Sequence, residues 1–125
     1  MLDIFLEVKP TAKGRPRFAK NGNVYTPNKT SDAEAEIRLL LRLHMSKYNI
    51  KLTYRPVCVI ANFYYLNKTI SDGYKSTRPD IDNIFKLISD AMNGIVYSDD
   101  SQIVKMQSEK RYGARQGIEL KVMEI

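Results

Sequence analysis

Residues 2–8 alternate: Leu2, Ile4, Leu6 and Val8 fall on one side, and Asp3, Phe5 and Glu7 on the other. A period of two predicts a half-buried strand, and Pro10 ends it. The period is then lost. Pro10, Gly14, Pro16, Gly22 and Pro27 interrupt residues 9–30, which read as a long loop. Within it Asn21-Gly22-Asn23 lies between Phe18-Ala19-Lys20 and Val24-Tyr25, a composition that turns a small hairpin. At Ser31 a helical period begins. Ser31 and Glu34 have the spacing of a capping box, in which each side chain satisfies the other's backbone N–H. Ala33, Ile37, Leu40, Leu41, His44 and Tyr48 recur on one face, and the helix ends near Asn49.

Pro56 precedes V-C-V-I-A-N-F-Y-Y-L, which is largely apolar on both faces and predicts a central strand covered on both sides. Residues 67–79 are polar and read as a loop. A second helix follows over about 81–93, with Ile81, Ile84, Phe85, Ile88, Ala91, Met92 and Ile95 as its buried face. Gly94 stands just past its end. Residues 102–112 and 117–124 read as two strands, the second alternating Ile118, Leu120 and Val122, with 113–117 as a hairpin loop between them. The order β-α-β-α-β-β predicts a single α+β domain over 1–125, two helices packed on a mixed sheet of about four strands.

Length and composition fit that picture. The chain has 125 residues, 43% hydrophobic and 27% charged, the proportions of one globular domain. No apolar run is long enough for a membrane span, and the N-terminus lacks the basic start of a signal peptide. Cys58 is the single cysteine, so no internal disulfide can form and a cytoplasmic protein is expected. Charge changes the picture more. Lys9, Lys13, Arg15, Arg17, Lys20 and Lys29 fall within residues 9–29, which hold no acid. These six cations equal the whole net charge of +6. A positive excess concentrated on one loop points to a polyanion contacted locally. Lys13, Arg15, Arg17 and Lys20, with Lys75 and Arg78 from the second loop, are the candidate DNA contacts, and Phe18 and Tyr25 are interleaved among the first group.

The candidate chemistry lies between Arg78 and Asp100. Asp80 and Asp82 stand at the start of the second helix, Asp99 and Asp100 beyond its end, and Lys86 between them. Asp82 and Lys86 are four apart and share a helix face. Each feature has an ordinary structural use: Asp80 or Asp82 as a helix cap, Ser98-Asp99-Asp100 as a turn, Asp82 with Lys86 as a surface ion pair. Together they also suit a hard divalent cation, which takes a few carboxylate oxygens, keeps waters and binds phosphate. Successive strand residues point to opposite faces, so one of Asp99 and Asp100 is expected to face such a site. Nothing in the sequence has the pattern of a zinc site, a P-loop or a dinucleotide fold, so no nucleotide cofactor is expected.

The stretch R-P-D-I-D-N-I-F-K, followed thirteen residues after Lys86 by D-D-S-Q-I, resembles the RusA family of Holliday junction resolvases. The family pattern, D-x-D-N-x-x-K and then D-D-x-Q-[IV], is matched at Asp80, Asp82, Asn83, Lys86, Asp99, Asp100 and Gln102. K-G-R-P-R-F and V-Y-T-P in the basic loop are similar to segments of some members. Where other members run arginines up to the first aspartate, this chain has Ser76-Thr77-Arg78-Pro79. The resemblance implies a RusA-like fold and a homodimeric, Mg²⁺-dependent endonuclease that nicks branched DNA symmetrically. Mn²⁺ suits the same ligands. It also implies that Asp80, Asp82 and Asp100 bind the metal and that Lys86 is the catalytic lysine. Two other functions fit the residues: a non-catalytic branched-DNA-binding protein, and a nuclease acting on other branched structures.

Overall fold

The computed structural model describes residues 1–14, 17–25, 28–70 and 72–125, of which 17, 18 and 25 are described by backbone alone. In chain order the elements are β1 (Leu2–Leu6), β2 (Arg17–Phe18), β3 (Val24–Tyr25), α1 (Asn28–Lys47), β4 (Val57–Tyr65), α2 (Ile81–Ala91), a 3-10 turn (Asp100–Gln102), β5 (Ile103–Tyr112) and β6 (Gly117–Glu124). The expected fold class is observed: an α+β domain with two helices and a four-stranded mixed sheet. The small hairpin in the basic loop is also present, as β2 paired with β3.

The sheet order is β1-β6-β4-β5. β6 runs antiparallel to both neighbours, while β4 and β5 are parallel. Parallel neighbours need a crossover, and α2 provides it. Leu2 and Leu6 of β1, Val57, Val59, Ala61 and Phe63 of β4, and Ile118, Leu120 and Val122 of β6 point to one side of the sheet. There they meet Ile37, Leu41 and Met45 of α1 and Ile84, Phe85, Leu87, Ile88 and Ala91 of α2 in one core.

Four expectations are corrected. Residues 113–117 do not close a hairpin, because β4 lies between β5 and β6. The connection steps over the end of β4, where the Gly113 N–H donates to the Tyr65 carbonyl at 3.1 Å. β6 takes the inner position because Ile118, Leu120 and Val122 can all be buried, whereas Val104 and Met106 of β5 are exposed and suit an edge. β4 is buried on one face only. Cys58, Ile60, Asn62 and Tyr64 on the other are half-buried, since both helices lie on the core side. α1 begins at Asn28 and not at Ser31. The extra turn is held by buried Thr30, whose hydroxyl accepts the Gly14 N–H at 2.9 Å. On α1, Met45 rather than exposed Tyr48 completes the core face.

α2 has a simple local logic. Ile84, Phe85, Ile88 and Ala91 recur at helical spacing and are buried, while Asp82, Asn83 and Lys86 remain exposed. Gly94 takes φ 74° just beyond the helix and its N–H donates to the Tyr97 carbonyl, a conformation that glycine adopts without strain. Arg38 of α1 caps the end, donating to the carbonyls of Ala91 and Asn93 at 3.0 and 2.9 Å. No helix among the described residues is long and apolar enough to cross a membrane.

Candidate active site

α2 positions the first half of the site. Asp80 occupies its N-cap with an extended backbone, yet its side chain makes no capping hydrogen bond. Its carboxylate therefore stays available at an end of the helix that favours negative charge. The approach to Asp80 is fixed from β5: Lys110 donates to the carbonyls of Thr77 and Pro79 at 2.8 and 2.7 Å. One residue into the helix, Asp82 accepts the Asn83 N–H at 3.0 Å and is otherwise turned to solvent.

Lys86 lies one turn further on. Asp82 was the partner expected from spacing, but the lysine instead donates to Asp90, 3.0 Å from its Oδ1. Asp100 Oδ2 is 3.6 Å away on the other side. The hydrogen bond that Lys86 donates to Asp90 raises the lysine pKa, against a smaller effect of burial, and the Asp90 and Asp100 charges add to the rise. Lys86 is therefore a firmly held cation. Asp90 shares its second oxygen with Lys13, 3.2 Å away, and Lys13 also pairs with Glu34 of α1.

The second half of the site is a turn and not the start of a strand. Asp99 is its N-cap, accepting the Ser101 N–H at 3.1 Å, and Gln102 completes a reciprocal capping box. That bond lowers the Asp99 pKa. The Gln102 side-chain carbonyl accepts the N–H groups of Ser98 and Asp99 at 2.8 and 3.0 Å. Its amide donates to the carbonyls of Thr53 and Arg55, both at 3.0 Å. Beneath the turn, buried Tyr97 donates to the Ser89 carbonyl of α2 at 2.6 Å. Asp99 is thereby spent on structure, while Asp100 faces Lys86.

The fold thus brings Asp100, Lys86 and Asp90 together. It does not gather Asp80, Asp82 and Asp100 into one cluster: among the described residues no three acidic or metal-ligating side chains converge on a metal position. α2 spans about 16 Å at 1.5 Å per residue, with Asp80 at its start and Asp100 beside its middle. The donor chemistry nevertheless fits a hard divalent ion. All three groups are carboxylates, Asp80 makes no capping bond, and magnesium binds through one or two carboxylates with water and phosphate completing its shell.

Beside Asp80 a cavity of about 490 Å³ is walled by Pro10, Ala12, Tyr65 and Pro79 and edged by Lys9, Lys29 and Arg78. A second, of about 230 Å³, shares Lys9, Tyr65, Arg78 and Pro79 and adds Lys75. Together they make a basic-edged groove that shares Pro79, the residue before Asp80. Of the six candidate DNA contacts, Lys20 and Arg78 are exposed. Lys75 lies over the Tyr65 and Tyr112 rings, 5.2 and 5.6 Å from their centroids, and donates to Thr77. Lys13 is turned inward onto Glu34 and Asp90. Arg15, and the side chain of Arg17, lie outside the described residues, as do those of Phe18 and Tyr25. Sequence reasoning missed Asp90 and Lys110, and it placed Gln102 in the family pattern without its role as the anchor of the turn. Asp90 and Gln102 carry a signal, since Asp90 follows Lys86 by four and Asp99-x-x-Gln102 has capping-box spacing; Lys110 carries none.

A family model described as Endodeoxyribonuclease RusA matches residues 7–123. The chain is 29% identical over 133 residues to the uncharacterized protein YqaN of Bacillus subtilis (strain 168), covering 94% of this chain and 92% of the relative. It is 34% identical over 73 residues to the crossover junction endodeoxyribonuclease rusA of Lactococcus phage r1t, covering 56% of each.

Proposed function

Since this chain belongs to the RusA family of endodeoxyribonucleases, we propose that it resolves Holliday junctions by paired symmetric nicks in a magnesium-dependent reaction, in DNA recombination and repair. The approach of Asp100 to Lys86, 3.6 Å across two elements that the family pattern links, is the observation that carries this reading. Asp80, Asp82 and Asp100 would hold the ion, and manganese accepts the same oxygen ligands. When bound, such an ion supplies Lewis acidity toward the scissile phosphate. Lys86 contributes a fixed positive charge to the oxygen on which negative charge develops as the phosphorus–oxygen bond breaks. Asp90 and Asp100 hold that charge in place before substrate arrives.

Lys20, Arg78, Arg15 and Arg17 supply cations for phosphates of the junction arms, with Lys9, Lys29 and Lys75 along the groove. Lys13 belongs to this reading through the loop it anchors. A two-fold junction presents two equivalent phosphates, and a homodimer with two-fold symmetry places one site at each.

The test uses synthetic four-way junctions with each arm labelled in turn, beside flaps, forks and duplex. Paired nicks at symmetry-related positions of the junction, dependent on Mg²⁺, are expected. Junction that is bound but uncut in Mg²⁺ would reject the reading in favour of a binding protein. Preferential cutting of flaps or forks would move it to another class of branched DNA.

A further inference from the structure

We propose that Asp90 is a positioning residue for Lys86, and that Lys13 completes a chain of alternating charge from the basic loop to the site: Lys13, Asp90, Lys86, Asp100. The inference rests on the reading of Lys86 as the catalytic lysine. The two Asp90 oxygens are divided between two cations, Oδ1 at 3.0 Å from Lys86 Nζ and Oδ2 at 3.2 Å from Lys13 Nζ. A carboxylate gripped on both sides has one orientation. The side chain of Asp90 is 19% exposed, while that of Lys86 is 56% exposed. The less exposed member of the pair thus holds the more exposed one.

Helix stability does not account for the arrangement. An acid in the last turn of α2 opposes the helix dipole, and a lysine four residues before an acid is the weaker order of such a pair. What the pair does is fix a long, flexible side chain against Asp100, where a displacement of about 1 Å matters to catalysis. Lys13 is itself fixed. Its N–H donates to the Asn83 carbonyl of α2 at 2.8 Å, and its ammonium also meets Glu34 of α1. The next residue, Gly14, bonds Thr30. The first part of the basic loop is therefore fastened to the same helix that carries Asp80, Asp82 and Lys86. Its order and the direction of Lys86 are coupled through one carboxylate.

The test is kinetic, with purified full-length protein, a labelled four-way junction and Mg²⁺. Asp90→Asn keeps the side-chain shape and removes the charge. It is expected to lower kcat by about 10- to 100-fold, with KM and junction affinity unchanged, and Asp90→Glu to recover part of the loss. Lys13→Met, which leaves Asp90 held on one side only, is expected to lower kcat less and to add nothing in the Asp90→Asn background. It carries the same test if Asp90→Asn does not fold. Unchanged kcat in both variants, with Lys86→Met inactive, overturns the positioning role and leaves Lys86 catalytic. A loss of kcat matched by an equal loss of junction affinity overturns it in favour of a structural ion pair. Full cutting by Lys86→Met removes the reading beneath it as well.

Discussion

Asp99 and Asp100 are neighbours with different work. Asp99 closes a capping box, and its hydrogen bond to Ser101 holds its pKa below the usual carboxylate value. Asp100 points at Lys86. Asp99→Ala is therefore expected to lower the melting temperature by a few degrees and to leave junction cutting within severalfold of wild type. Asp100→Asn is expected to leave melting unchanged and to abolish cutting. Thermal denaturation and a cleavage time course on the same two variants check this, and the reverse pattern would exchange their roles. Lys13 gives a pH prediction. Burial lowers its pKa, but its bonds to Glu34 and Asp90 outweigh that and leave it above the ordinary value of 10.5. A raised folded-state pKa means that the stabilisation is complete below about 10.5 and is lost as pH rises through the higher folded value. The difference in melting temperature between wild type and Lys13→Met should stay constant through neutral and mildly alkaline pH and shrink only above that range. The sequence shows that Lys13 is in a basic loop, which suggested DNA. It does not show that Glu34 and Asp90 come to meet it, because those partners are distant in sequence and only the packing of α1 beside α2 unites them.

At the scale of elements, the periodic segments were legible and the order of strands was not. Alternation in 2–6 and 117–124 and the helical spacing across 84–91 each reflect one buried face, so the pattern reports the burial there, while Ile81 at the start of α2 is exposed. Strand order depends on which strand has the side chains to be covered on both edges, a comparison between distant segments. The second half of the site turns on the 3-10 turn, which reads in the sequence as the beginning of β5. Gln102 is its anchor, with four hydrogen bonds to backbone groups of two segments. Gln102→Ala removes these bonds and, since three of the four lie where water can replace them, is expected to cost about 1 kcal/mol. It should also lower cutting, because Asp100 is the next residue but one. Denaturant unfolding together with a cleavage assay measures both, and unchanged stability would remove Gln102 as the anchor.

The molecule carries an acidic site beside α2 and a basic-edged groove at Pro79, the residue before Asp80. The net charge of +6 equals the excess on residues 9–29, of which Lys9 and Lys29 edge the groove, and such a concentration suits a polyanion. Affinity for a junction should fall linearly with salt on a logarithmic scale. Arg78→Ala and Lys20→Ala should each reduce that slope by about one while leaving the preference among DNA structures unchanged. An unaltered slope for either would take that residue off the phosphate path.

As proposed above, the carboxylates along α2 and its following turn form a divalent-metal nuclease site around Lys86. The most direct measurement is a magnesium titration of wild type and Asp82→Asn, with binding and cutting of the same four-way junction recorded side by side. Both proteins are expected to bind the junction and only wild type to cut it, with cutting that rises with magnesium from none in chelator. Full cutting by Asp82→Asn, or a wild type that binds the junction and leaves it intact at every magnesium concentration, would contradict it.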